Sequence, residues 1–292
     1  MKPPVFEYHV ADSLDQALSL LDDYGDEAKP LAGGQSLIPL LNFRLARPVA
    51  LIDINRIDAL TGISRTRDGA LRICAMTRQR ALERDVNVRQ YAPLVCETMP
   101  HVAHPQIRNR GTVGGSLAHA EPAAELPAVM ITLGARLHLR SKRADRWVSA
   151  DEFFTGLFAT ALQTGELLTS VEIPSMPERT GYAFEEVARR HGDFALLGVA
   201  ASVSVDEAGL CRDARITLVN PGAGAERMQR SAGSMIGRAV DDAAAREAAD
   251  IAAADVTATG DVHASPAYRR QLARVLTRRT LLRAFERATV VR

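Results

Sequence analysis

Arg108-Asn109-Arg110-Gly111-Thr112-Val113-Gly114-Gly115-Ser116-Leu117 follows, about eighty residues later, a shorter stretch of the same character, Leu31-Ala32-Gly33-Gly34-Gln35-Ser36-Leu37. Each sets a Gly-Gly pair beside small hydroxyl residues and an apolar run. Glycine has no Cβ, so such a turn can bring several backbone N–H groups against one anion. Two turns facing each other could hold a pyrophosphate from both sides, which points to a nucleotide cofactor. Neither turn matches GxGxxG, and neither is a Walker loop, since no Gly-Lys-Ser/Thr follows. Taken singly, Gly33-Gly34 reads more readily as a structural turn, and Arg108 and Arg110 as a solvated loop.

Around these turns the first fifty-odd residues alternate strand and helix signals. Val5 to Val10 reads as a strand. Ser13-Leu14-Asp15-Gln16 is a capping-box pattern, after which Leu14, Ala17, Leu18, Leu21 and Tyr24 follow helical spacing up to Gly25. Pro30 to Ala32 reads as a short strand entering the first glycine turn, Ser36 to Leu45 as a short helix, and Val49 to Ile54 as another strand. A parallel β-α-β unit results, with the turn at the strand end where ligands bind.

The second turn lies in a mixed stretch. A hairpin is predicted around Arg67-Asp68-Gly69, helices near Arg78 to Arg84, Ala92 to Met99 and Glu125 to Leu133, and strands over Ala135 to Arg140 and Leu167 to Ile173. Pro174-Ser175-Met176-Pro177 marks a boundary. Beyond it come strands over Tyr182 to Val187, Val199 to Val205 and Ala214 to Val219, then an Ala-rich helix near Ala239 to Ala254. A final helix starts at Ser265-Pro266, with Tyr268, Leu272, Val275, Leu282 and Phe285 as its apolar face. Its many arginines read as a solvated face or a subunit contact.

Composition narrows the function classes. The chain has 292 residues, 47% of them apolar, and a net charge of +1. That size predicts about two domains, and the charge gives no bulk attraction to nucleic acid or anionic lipid. The N-terminus has no apolar signal core, and the longest apolar run, 126–139, is broken by Pro127, Gly134 and Arg136, so a cytoplasmic protein without a membrane span is expected. Three scattered cysteines, Cys74, Cys96 and Cys211, exclude a four-cysteine iron–sulfur cluster held by this chain alone. His101 and His104 are three apart, but Pro105 disfavours helix there and no third ligand is legible, so no metal site is expected. His119 can be read either as touching a cofactor or as lining a loop. His191-Gly192-Asp193 accompanies no nucleophile motif.

Taken together, Ala32-Gly33-Gly34-Gln35-Ser36-Leu37 with Leu51-Ile52-Asp53-Ile54, His104-Pro105-Gln106-Ile107 leading into the second turn, Ala120-Glu121-Pro122-Ala123-Ala124-Glu125-Leu126-Pro127, and the segment from Asp261 to Arg270 resemble the FAD-binding medium subunit of molybdenum hydroxylases, the xanthine dehydrogenase and aerobic carbon monoxide dehydrogenase family. The resemblance spans nearly the whole chain. It implies an α+β fold: a two-subdomain FAD-binding domain of the vanillyl-alcohol-oxidase (PCMH) type over residues 1–176, divided near 57/58, and a smaller C-terminal α/β domain with an antiparallel sheet over 177–292.

The resemblance further implies non-covalent FAD, with cofactor contacts at Ala32, Gly33, Gly34, Gln35, Ser36, Leu37, Thr112, Val113, Gly114, Gly115, Ser116, Glu125 and Leu168. Ser116 stands where the family usually has asparagine, Glu125 where aspartate is usual, and Phe194 where some members place tyrosine near the flavin. No acid–base catalytic residue is implied. Molybdenum cofactor and two [2Fe–2S] clusters would reside on a large and a small partner subunit, in a dimer of heterotrimers, and this chain would relay electrons to an acceptor that the sequence does not name. The rival readings are a stand-alone flavin oxidoreductase and a binding module that has lost its cofactor.

Overall fold

The computed structural model describes residues 2–290. The chain opens with β1 (Glu7–Val10), α1 (Leu14–Tyr24), β2 (Ala28–Leu31), α2 (Leu37–Asn42) and β3 (Ala50–Asp53). These strands form a parallel sheet in the order β1-β3-β2, as the β-α-β pattern predicts. Ala17, Leu18 and Leu21 of α1 bury against Ala50 and Ile52 of the central strand. The Ser13 hydroxyl accepts from the Gln16 amide at 3.2 Å, whereas the Gln16 side chain reaches the Asp12 amide at 2.9 Å, one residue before the cap. The strand expected from Val5 starts at Glu7, leaving Val5 exposed. The helix expected to Leu45 stops at Asn42, because Arg44 turns the chain at φ 59° and leaves Phe43 and Leu45 in solvent.

Next come β4 (Ile63–Arg65) and β5 (Leu71–Cys74), joined by the anticipated turn with Gly69 at φ 87°. Six short helices follow: α3 (Gln79–Arg84), α4 (Val86–Tyr91), α5 (Pro93–Thr98), α6 (Pro105–Arg110), α7 (Val113–His119) and α8 (Glu125–Thr132). Then come β6 (Arg136–Arg140), β7 (Asp145–Ser149), α9 (Ala150–Phe153), the small hairpin β8 (Phe154–Gly156) and β9 (Ala159–Thr160), and β10 (Leu167–Ile173). The antiparallel sheet β4-β5-β10-β6-β7 carries the helices on one face. Every residue of α8 is buried, so this helix is the centre of the largest core. The sequence reading did not anticipate α4, α6, α7 or β7. Asp85 caps α4 by accepting from the Asn87 and Val88 amides.

The C-terminal part is an antiparallel sheet of β11 (Thr180–Ala188), β12 (Ala195–Val205), β13 (Cys211–Val219) and β14 (Glu226–Arg227), followed by α10 (Gln229–Gly233), α11 (Asp242–Asp255) and α12 (Pro266–Thr289). One face packs on α11 and α12, while Phe184, Ala200 and Val219 of the other join the core around α8. Covered on both sides, all eleven residues of β12 are buried. The architecture is thus α+β with a C-terminal antiparallel sheet.

The buried seam of α12 differs from the expected one. It runs through Arg269, Leu272, Ala273, Leu276, Leu281 and Ala284, whereas Tyr268 is exposed. The cause is close approach: a Cβ on Gly181 of β11 would lie 1.9 Å from the Ala284 carbonyl oxygen, so small residues face the sheet there. Nor are the arginines all solvated. Arg269 is buried and donates to the carbonyls of Leu196 (3.1 Å) and Thr259 (2.7 Å) and to Asp261 (2.6 Å). Arg283 and Arg287 reach Glu97 of α5.

Candidate functional site

The first glycine turn leaves the end of β2 and enters α2. Asn55 sets its shape by donating to the Ala32 and Leu31 carbonyls at 2.9 and 3.2 Å. The Gln35 side chain donates to the Gly33 carbonyl at 3.0 Å, and Gly34 takes a φ of 72° that an L side chain resists. Among the described residues, the amides of Gly33, Gly34, Gln35 and Ser36 find no protein acceptor. A rigid turn with four unused donors is a preorganised anion cradle.

The second turn is built differently. Gly114 and Gly115 lie in the first turn of α7, which Thr112 caps by accepting from the Gly115 amide at 3.1 Å. The Val113 amide donates to the Thr77 carbonyl at 3.0 Å and the Gly114 amide to the Ala75 carbonyl at 2.7 Å. These donors are therefore spent inside the protein, unlike those of the first turn. Glycine is needed here for packing, since a Cβ on Gly114 would lie 2.5 Å from that of Ala75. What α7 offers to a ligand is its partly exposed rim, with Gly115 and Ser116.

The two turns meet directly. A Cβ on Gly33 would lie 2.3 Å from the Arg110 carbonyl oxygen, and one on Gly115 would lie 3.6 Å from the Ala32 Cβ. Arg78 ties the junction by donating to the Arg110 carbonyl at 2.6 Å and to Asn55 Oδ1 at 2.7 Å. Beside the junction opens a cleft of about 520 Å³, lined by the first turn together with Tyr8, Asp53, Asn55, Ile107 and Arg110. Arg110 is exposed there, whereas Arg108 is buried and donates to the Val102 and Ala103 carbonyls at 2.9 and 3.0 Å. Of the two arginines read as a basic approach, one holds the fold and one faces the cleft. Burial, and then the neighbouring Arg110, pull the Arg78 guanidinium below its usual value, as expected where positive charges converge. Burial opposes ionisation of Asp53, yet hydrogen bonds from Tyr8 and Asn55 hold its carboxyl below the usual range. The cleft thus pairs a cationic rim and free amides with one fixed acceptor. Asn55, Arg78 and Tyr8 escaped the sequence reading, because isolated polar residues carry no local pattern.

The remaining expected contacts lie farther along. Leu168 is buried on β10, against which α7 packs. Glu125 opens α8, 5% exposed, and burial followed by the nearby Glu186 carboxylate pushes it up to about 8. Phe194 is two-thirds exposed on the rim of a second cavity of about 170 Å³, with Glu121, Asn220 and His263. His119 ends α7 with its ring 5.3 Å from that of Phe158, and burial lowers its pKa. Among the described residues no cluster of metal-ligating side chains occurs, and no helix is long and apolar enough to cross a membrane.

Comparison with known proteins gives this geometry a family. Residues 4–176 match the model described as the FAD-binding domain in molybdopterin dehydrogenase, and residues 182–284 match the CO dehydrogenase flavoprotein C-terminal domain. The chain is 44% identical to the 6-hydroxypseudooxynicotine dehydrogenase complex subunit alpha of Paenarthrobacter nicotinovorans, covering 99% of this chain and 97% of that protein. It is 41% identical to the caffeine dehydrogenase subunit beta of Pseudomonas sp. strain CBB1, covering 98% and 97%. Its fold is similar to a chain of the carbon monoxide dehydrogenase of Hydrogenophaga pseudoflava, in a structure lacking the Mo-pyranopterin moiety of the molybdenum cofactor, with a TM-score of 0.95, 36% identity and coverage of 98% and 99%. The cradle, the cleft and these matches lead to one conclusion: the chain belongs to the FAD-binding medium-subunit family of the molybdenum hydroxylases.

Proposed function

We propose that this chain is the flavin-bearing station of a multi-subunit molybdenum hydroxylase, taking electrons from the [2Fe–2S] clusters of a small partner subunit and handing them to an external acceptor. The observation that carries the reading is the set of four unused amides at Gly33, Gly34, Gln35 and Ser36, facing a cleft whose opposite rim is Arg110. Bound FAD supplies the redox centre; the chain supplies binding, orientation and electrostatics.

In this reading residues 32–37 hold the pyrophosphate through backbone donors, with Arg110 as the counter-charge. Thr112 to Ser116 form the packed wall behind it and offer the Ser116 hydroxyl. Glu125 and Leu168 line the rest of the cofactor's path. The proposed units are residues 1–176, meeting internally near 57/58, and residues 177–292. Similar chains belong to enzymes named for substrates as unlike as caffeine and carbon monoxide. That supports a substrate pocket on the large molybdenum subunit rather than on this chain. A cytoplasmic dimer of heterotrimers completes the proposal.

Tagged chain purified from its native host at native expression tests this reading. The expected product is a flavin-containing complex with one large molybdenum-bearing and one small iron–sulfur subunit per chain. Recovery of an active, iron-free single chain overturns it.

A further inference from the structure

Asp53 ends β3, and its register partner on β2 is Leu31, the residue that leads into the glycine cradle. The chain here runs strand, glycine turn, short helix and parallel neighbouring strand, and closes on an acid at the carboxyl end of the sheet. The dinucleotide-binding β-α-β unit has the same order, with an acid about twenty residues after its turn that accepts from a ribose hydroxyl. Asp53 likewise follows Gly33 by about twenty residues. No GxGxxG is present, so what is shared is the arrangement of strands, turn and acid.

Side-chain geometry ties this acid to the cradle. Asp53 Oδ1 accepts from the Asn55 amide at 2.9 Å and from Asn55 Nδ2 at 2.6 Å. The same Nδ2 donates to the Ala32 carbonyl at 2.9 Å, and Arg78 holds Asn55 Oδ1 at 2.7 Å. Among the described residues, Asp53 Oδ2 accepts only from the Tyr8 hydroxyl, and a carboxylate oxygen has room for a second donor. Arg56, the nearby cation, reaches Asp12 instead at 3.7 Å. Asp53 and Tyr8 both line the cleft, as do Ile38 and Pro39, exposed on α2. A carboxylate repels phosphate and suits hydroxyl donors, so it fits a polyol beside the cradle rather than the anion in it.

We propose that Asp53 is a further cofactor-binding residue: its Oδ2 accepts from the adenosine ribose hydroxyls of FAD, with Ile38 and Pro39 against the adenine. The inference rests on the reading of the first turn as the pyrophosphate cradle, with the flavin end toward Glu125 and Leu168, neither of which lines this cleft.

The test is binding of FAD, and separately of FMN, to the full chain stripped of flavin, followed by quenching of flavin fluorescence. FMN carries the flavin, the ribityl chain and one phosphate but no adenosine. D53N keeps an acceptor for Asn55, and is expected to weaken FAD about tenfold and leave FMN unchanged. Equal losses for both, the mark of a damaged cradle or of a contact to the ribityl chain, overturn the inference; so does an unchanged affinity for FAD. A second measurement uses the wild type alone, so that no variant has to fold. There ADP should displace FAD at about tenfold lower concentration than 2′,3′-dideoxy-ADP. Equal displacement by the two, or none by ADP, overturns the inference. Wild-type protein binding no FAD overturns the underlying reading instead.

Discussion

Gly33 and Arg110 are in backbone contact: a Cβ on Gly33 would lie 2.3 Å from the Arg110 carbonyl oxygen, which already accepts from Arg78 at 2.6 Å. This contact brings the two halves of the glycine signature together and fixes the mouth of the cleft. Gly33→Ala should therefore force the turns apart, costing about 1–3 kcal/mol of stability and lowering FAD content. The flavin-to-protein absorbance ratio and thermal melts read both effects. Gly34→Ala is the milder control. Its Cβ would meet only side-chain atoms, of Ile38 at 3.1 Å and Leu31 at 3.4 Å, and the cost, about 1 kcal/mol, comes from the φ of 72°.

Arg110 and Arg108 should separate binding from folding. Arg110→Ala removes an exposed cation at the cleft, and is expected to weaken FAD binding about tenfold with an unchanged melting temperature. Arg108→Ala strips donors from the Val102 and Ala103 carbonyls and from Glu83, and is expected to lose about 2–4 kcal/mol of stability. Chemical denaturation beside FAD titration checks the pair; equal effects of both variants on both readouts refute the assignment.

Arg269→Leu should destabilise the C-terminal part by about 3–5 kcal/mol, because Asp261 and two carbonyls lose a buried partner. Arg269→Lys is expected to recover little, since one ammonium cannot span the three acceptors. Urea unfolding monitored by far-UV circular dichroism measures both.

Asp261 carries a pH signature. Its carboxyl accepts from the His263 amide, and also from Ala264 and Arg269, which holds it at about 2 against an ordinary 3.8. A depressed folded-state value contributes stability above the unfolded value, and that contribution is lost as pH falls through the folded one. The wild type should therefore lose stability between about pH 4 and about pH 2, with a shallower acid limb in Asp261→Asn. Parallel limbs in acid titrations of the two proteins would falsify the assignment.

Gly181→Val should be the most damaging single change in the C-terminal part. Its Cβ would lie 1.9 Å from the Ala284 carbonyl oxygen and 2.5 Å from the Ala288 amide, backbone atoms that cannot rotate away. Soluble yield and proteolytic resistance of residues 177–292 are the measurements. Normal values for both would mean that α12 is not seated on β11.

Local patterns in the sequence determined much of this protein. A hairpin signal and strand-like runs marked β5, β10, β12 and β13, helical spacing marked α1, and the caps at Ser13 and Ser265 form as read. The glycine turns and their flanks named the family, because close backbone approach leaves glycine at definite positions. Only the tertiary structure decided how those glycines are used. Gly33 to Ser36 keep their amides free, whereas Gly114 and Gly115 sit inside α7 with neighbouring donors spent on Ala75, Thr77 and Thr112. Hydrogen-bond partners supplied from a distant turn, as at Ala75 and Thr77, leave no trace in a local pattern. The same holds for Arg108 and Arg269, whose charge suggests solvent but whose acceptors converge only on folding, and for Glu125, whose pKa is raised by burial and then by the Glu186 carboxylate, both of which arise only on folding.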